Sequence, residues 1–359
     1  MLKDAYRRLV LRLRESSVYS LFGNDKPEVV RQNLDVFLVA TALKCYDWQL
    51  ARRDDLGARV DAELTKGFVK ELEELHADGR KRYVHDSINR QMVAWFNRFE
   101  KESSSSSRRN VEAIERDSST NGDDERESTI MESLYEEHAK KKIEEATSNS
   151  LLDFSLSVKT STIKGAGKGL FINNIGSRDF ISPGTLVAIF PGVVHLQEFA
   201  KSTEYVASLF PDPHFQLTMR PDGHIIDSRE SMGFHIPQNP LAVAQYVNHV
   251  PVGKEPNVMQ IPYDFLADPW GTLERDGFPS NLRKLIPLKY AQAPTLLGTL
   301  DQSVHMHAMV LITIKPVRDD TELFMDYRLP GDSSGIPAWY APYKRAMYEE
   351  VDEKEATVL

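Results

Sequence analysis

The chain of 359 residues contains a single cysteine, Cys45. One thiol cannot build a disulfide framework, and it excludes the cysteine-rich zinc sites that staple many small domains. The composition suits a reducing compartment, so the expected location is intracellular, in the nucleus or the cytoplasm. No apolar run reaches the roughly 20 residues that a membrane-spanning helix needs, so no membrane partner is expected. A secretory signal with an uncharged apolar centre is also missing. Excess positive charge is absent too: 44 Lys and Arg stand against 53 Asp and Glu, a formal net charge of -9. That acidic balance argues against nucleic acid as a direct ligand.

What is present changes character along the chain. At the start, Leu2, Tyr6, Leu9 and Leu13 share one helical face, with Arg7, Arg8, Arg12 and Arg14 crowding the rest. This pattern fits either an amphipathic helix packed on the protein or an organellar targeting segment, and Asp4 and Glu15 weigh against targeting. Residues 1–100 show apolar spacing near 3.6, as in PEVVRQNLDVFLVATALKCYDWQLARR, and are expected to be a helical N-terminal region. Residues 101–128, with SSSSSRR and DSSTNGDDERES, hold hardly any apolar side chains. Such a stretch cannot bury enough surface to offset its ordering entropy and is expected to be a disordered linker. Residues 129–150 contain TIMESLYEEHAKKKIEEA and predict a helix with Glu and Lys at supporting spacings.

Beyond residue 150, short β-type runs alternate with Pro/Gly turns: GKGLFIN, TLVAIFPG, DGHIIDS and, late in the chain, HMHAMVLITIKPV. The fold expected here is mostly β, with a helical N-terminal extension. Three residue groups within it invite chemistry. KGAGKGLF places Gly165, Gly167 and Gly169 alternately before a strand, which permits a tight bend and a close backbone approach to a ligand. No helix is expected after this turn, so it fits neither the phosphate-loop nor the dinucleotide pattern. AQYVNHVPVGKEPNV ends an apolar run with Asn248 and His249, polar groups that need partners if buried. TELFMDYR places Tyr327 after an acidic and apolar run.

Taken in order, these pieces resemble the SET domain of protein-lysine methyltransferases. The matching features are the alternating-glycine turn, the strand into a Pro-Gly turn, the IID strand, Asn-His followed by Pro-Asn, and Glu-Leu-Phe-x-Asp-Tyr near the C-terminus. The resemblance assigns residues 151–330 to a SET domain, a β-clip fold with a threaded C-terminal segment. Residues 331–359 become a tail, serving either as packing or as a lid on a substrate channel.

The resemblance further implies S-adenosyl-L-methionine as cofactor and a lysine-bearing protein as partner and substrate. Gly165, Gly167, Gly169, Asn248 and His249 would bind the cofactor, and Tyr327 would be catalytic. Phe190, Tyr246 and Trp339 would line the substrate channel. A catalytically silent SET fold, used as a peptide-binding or scaffold module, is the alternative. Asp227 and Asp326 are expected to be structural.

No metal is expected: His305 and His307 share a strand face, but no third ligand is close in sequence. The chain departs from the family form in the longer His249-to-Pro256 spacing. It also lacks cysteines for zinc beside the domain, and it carries an insertion of about 45 residues before the last long strand. FPSNLRKLIPLKY in that insertion predicts a short helical piece bordering a substrate groove.

Overall fold

The structure, a computed structural model, describes residues 27–52, 60–117, 154–176, 179–197, 216–229, 239–267, 277–291, 304–329 and 336–343, with backbone alone at 27–28 and 102–117. The amphipathic segment at the N-terminus and the helix expected at 129–150 lie outside these residues.

Three helices come first: α1 (Pro27–Leu50), α2 (Ala62–Glu73) and α3 (Ala77–Asp117). Leu34, Phe37, Leu38, Ala42, Cys45 and Tyr46 are buried, and so are Val39, Ala40, Thr41 and Leu43 between them, so the middle of α1 is covered on nearly every side. The α2 start is capped by Asp61, whose Oδ1 accepts from the Leu64 N–H at 2.8 Å. Its other end is closed by Arg80 of α3. The Arg80 guanidinium donates to the carbonyls of Leu72 at 3.0 Å and Leu75 at 2.5 Å and lies over the Phe37 ring. Helix α3 runs on to Asp117, through the serine-rich stretch expected to be a linker. Extending a helix whose first turns are already packed needs no new nucleus, which is why weak local propensity does not stop it.

Twelve strands follow among the described residues. They are β1 (Ser155–Thr160), β2 (Lys168–Asn173), β3 (Leu186–Ile189), β4 (Gly192–His195), β5 (Leu217–Met219), β6 (Ile225–Asp227), β7 (Asn248–His249), β8 (Val258–Leu266), β9 (Leu288–Tyr290), β10 (Val304–Thr313), β11 (Thr321–Glu322) and β12 (Phe324–Met325). They form small sheets ordered β1-β2-β11, β3-β10-β8, β5-β6-β4-β9 and β12-β7. The pairings are antiparallel except β12 with β7 and β4 with β9. The runs expected as strands from GKGLFIN, TLVAIFPG, DGHIIDS and HMHAMVLITIKPV are β2, β3, β6 and β10. The long β8 has no counterpart among those expectations. Pro262 interrupts its sequence pattern, but β8 lies at the edge of its sheet, where a missing N–H is tolerated. Among the described residues the insertion holds most of β8, a 3₁₀ turn, Ser280–Leu285, and β9. The turn borders the helices: Asn281 and Lys284 both hold Glu100 of α3, at 3.0 and 2.9 Å.

Helices and sheets share one core. Trp95 meets Phe154 edge-on at 5.7 Å, and Phe96 packs on Phe265 and Phe278 at 6.1 and 5.4 Å. His85 stacks on Tyr263 at 5.0 Å, whose hydroxyl donates to Asn89 Oδ1 at 2.7 Å. Buried Gln91 of α3 extends the backbone ladder at β3. Its Nε2 donates to the Gly184 carbonyl and its Oε1 accepts from the Leu186 N–H, both at 2.8 Å. Gly184 itself has φ +84, and a Cβ there would stand 2.3 Å from the Ala42 carbonyl oxygen, so only glycine lets this turn meet α1.

Candidate active site

Four segments, distant in sequence, meet at β7 and β12. The two strands run parallel with Phe324 beside Asn248 and Met325 beside His249. The Val250 N–H donates to the Met325 carbonyl at 2.9 Å, and the Asn257 N–H donates to the Phe324 carbonyl at 3.0 Å. Asn257 also accepts from the Phe324 N–H at 2.7 Å and donates to the Glu322 carbonyl at 2.9 Å. Strand β12 therefore lies between the two arms of the 248–257 loop, held on both sides.

The Asn248-His249 pair is buried at this crossing. His249 Nδ1 accepts from the backbone N–H of Tyr327 at 3.1 Å, so the ring proton sits on Nε2, which donates to the Ala341 carbonyl at 2.7 Å. Both ring nitrogens are thus engaged within the protein. Burial pushes the imidazole below its ordinary range; the bond to Ala341 and Asp326, whose Oδ1 lies 3.9 Å from Nδ1, oppose this only in part. The His249 ring packs on Tyr340 at 4.3 Å and Tyr327 at 5.5 Å, and Tyr327 meets Trp339 edge-on at 6.5 Å. Tyr340 is anchored by donation to the Leu329 carbonyl at 2.9 Å.

The Tyr327 hydroxyl donates to the Val247 carbonyl at 3.0 Å. A phenol has one proton, so its remaining capacity toward any visitor is as an acceptor. Burial pushes its pKa upward, so it stays a phenol throughout the neutral range. The next residue, Arg328, reaches Asp35 of α1 at 2.7 Å, which ties the helical layer to this segment.

Asn248 spends both amide hydrogens: Nδ2 donates to the Lys168 carbonyl at 2.9 Å and to Glu322 Oε1 at 3.2 Å. Its Oδ1 accepts from no group among the described residues. Glu322 is only 3% exposed and is the hub that sequence reasoning passed over. It accepts from the Ser161 hydroxyl at 2.6 Å, the Thr162 hydroxyl at 2.5 Å and the Thr162 N–H at 2.7 Å. The signal was an acid inside TELFMDYR, a run otherwise suited to a buried strand.

The alternating glycines divide in role. A Cβ on Gly169 would stand 2.1 Å from Glu322 Oε1, so its bareness serves that carboxylate. Gly165 and Gly167 are exposed, at φ +87 and +74. A Cβ on Gly167 would meet nothing within 4 Å, and one on Gly165 would meet the Trp339 ring at 3.7 Å. The structure thus brings Gly165, Gly169, Asn248, His249, Tyr327 and Trp339 together. Phe190 is buried in the main core at the end of β3, and Tyr246 packs half-buried against that core, as Tyr327 does. Asp227 turns back on its own chain, accepting from the Arg229 N–H at 3.0 Å and guanidinium at 2.9 and 2.6 Å.

No protein-family model matches the chain, and no curated protein matches it. The functional reading therefore rests on the residues. No helix among those described is long and apolar enough to cross a membrane.

Proposed function

We propose that the chain is a SET-type methyltransferase that moves a methyl group from S-adenosylmethionine to the ε-amine of a protein lysine. The observation that carries this reading is the packing of His249 and Trp339 on the half-buried Tyr327, with Gly165 against Trp339 and Asn248 beside Gly169. The bracketing of β12 by the 248–257 loop supports the threaded β-clip form of the fold.

The residues fit the cofactor. Gly165 puts no side chain between its turn and the Trp339 ring, and Asn248 Oδ1 is an acceptor with capacity left for an ammonium group. His249 contributes through its backbone, since its ring is spent holding Tyr327 to Ala341. When bound, S-adenosylmethionine supplies an electrophilic methyl group on a sulfonium. Tyr327, its proton committed to Val247, offers only lone pairs, which suit the N–H of an incoming amine or a carbon bearing positive charge. Because burial keeps it protonated, it orients the amine instead of removing its proton. The lysine must arrive neutral, and apolar walls such as Trp339 and Tyr340 favour that form. Alignment of the two reactants can lower the barrier by about 7–11 kcal/mol.

Calorimetry with S-adenosylmethionine, followed by methyl transfer to lysine peptide arrays, tests this. The intact protein should bind the cofactor, Asn248→Ala should weaken binding at least tenfold, and Tyr327→Phe should bind normally while transferring at least a hundredfold more slowly. Folded wild type that fails to bind the cofactor overturns the reading and leaves a peptide-binding module.

A further inference from the structure

A second cluster lies where the β5–β6 hairpin meets β8 and β10. Asp222 and His224 come from the hairpin turn and His307 from β10, and each offers a ligand atom within 4.8 Å of the others. The turn is closed by the Arg220 N–H on the His224 carbonyl at 2.8 Å. Arg220 then pins the turn to the neighbouring sheet. Its Nη1 donates to the carbonyls of Tyr263, at 3.1 Å, and Ala308, and its Nη2 donates to Asp222 Oδ2 at 2.6 Å and Asp264 Oδ1 at 2.9 Å.

Two details point to a ligand. The buried Nδ1 of His224 lies 2.9 Å from Asp222 Oδ1 without hydrogen-bonding alignment. Two such atoms stand side by side, as ligands turned to a common centre do. In addition, His307 Nδ1 lies 2.9 Å from Asp264 Oδ1, directly across the β8–β10 pair. A carboxylate on one ring nitrogen sets the tautomer and leaves the other as a lone-pair donor, the usual support of a metal-bound imidazole. Two carboxylates against one guanidinium leave the cluster net negative when both imidazoles are neutral. The two rings are 4.2 Å apart, close enough to share one ion.

We propose that Asp222, His224 and His307 bind a divalent first-row transition cation, with Asp264 as the positioning residue for His307. Two imidazoles and one carboxylate suit zinc, with a further position open to water. The ion clasps the β5–β6 hairpin onto the β8–β10 pair, independently of the methyltransferase reading.

The test uses the full chain, stripped with a chelator and titrated with Zn²⁺ against a chromophoric competitor, and with Co²⁺ for its visible ligand-field bands. One equivalent should bind, and zinc should raise the melting temperature. His224→Ala and His307→Ala should each weaken binding at least tenfold, and Asp264→Asn by roughly 10–100-fold. His305→Ala, on the same strand, should leave it unchanged. With ten histidines in the chain, adventitious binding is the rival. Wild type binding less than one equivalent, or affinity unaltered in His224→Ala, overturns the proposal. His224 lies in a turn, so its variant answers the question even if His307→Ala fails to fold.

Discussion

Gly169 and Gly167 differ by two positions and in the consequence of adding one methyl group. Gly169→Ala forces a Cβ onto the buried Glu322 carboxylate and should cost about 1–3 kcal/mol, read as a lower urea midpoint. Gly167→Ala meets open space and should cost only the left-handed backbone penalty, about 1–2 kcal/mol, without disturbing Glu322. Comparing chemical shifts of the Ser161 and Thr162 amides in the two variants separates the causes. His249 sets a pH dependence. Its folded pKa is depressed below the ordinary 6.5, so the unfolded chain takes up the proton first and stability falls as pH drops below about 6.5. Burial and Arg283 depress His305 as well, which acts in the same sense. The measurement is therefore urea unfolding from pH 7.5 to 5 in a His305→Ala background. A flat profile there contradicts the assignment. The pair of letters Asn-His was legible as unusual, but its actual bonds were not. His249 meets Tyr327 and Ala341, residues 78 and 92 positions away, and no local pattern encodes such contacts.

Among the elements, α3 does more than a helical extension would. Gln91 satisfies two backbone groups at the start of β3, and Gln91→Ala leaves both buried without partners. The expected loss is about 2–4 kcal/mol, with faster hydrogen exchange at Leu186; an unchanged exchange rate would show that water replaces the amide. Strands β2, β3 and β10 were readable as short apolar runs bounded by Pro and Gly turns, and the structure buries them almost continuously, without alternation. Strand β8 was not, because Pro262 is a breaker in sequence and a tolerated edge residue only once the neighbouring strand is known. The reach of α3 to Asp117 escaped for the converse reason: composition reports local propensity, while the helix is continued from turns fixed by tertiary packing. The metal-type cluster was invisible because Asp222 and His224 stand more than eighty positions from His307.

At the scale of the molecule, the helical region and the β domain are one packed unit, joined by Trp95, Phe96 and His85 against Phe154, Phe265 and Tyr263. Thermal unfolding followed by far-ultraviolet and tryptophan signals should therefore show coincident transitions. A fragment beginning at residue 151 should be insoluble or molten, since it exposes the aromatic face that α3 covers. A folded, monomeric fragment would show that the helices are dispensable. The placement of β12 between Asn248–Val250 and Asn257 has a kinetic meaning as well. A strand gripped on both flanks cannot peel away from a free edge, so the loop must open before the strand can leave. The lifetime of the native state should then be governed by that one opening, and the amides of Val250, Asn257 and Phe324 should exchange as a single slow set even when the overall free energy of unfolding is modest.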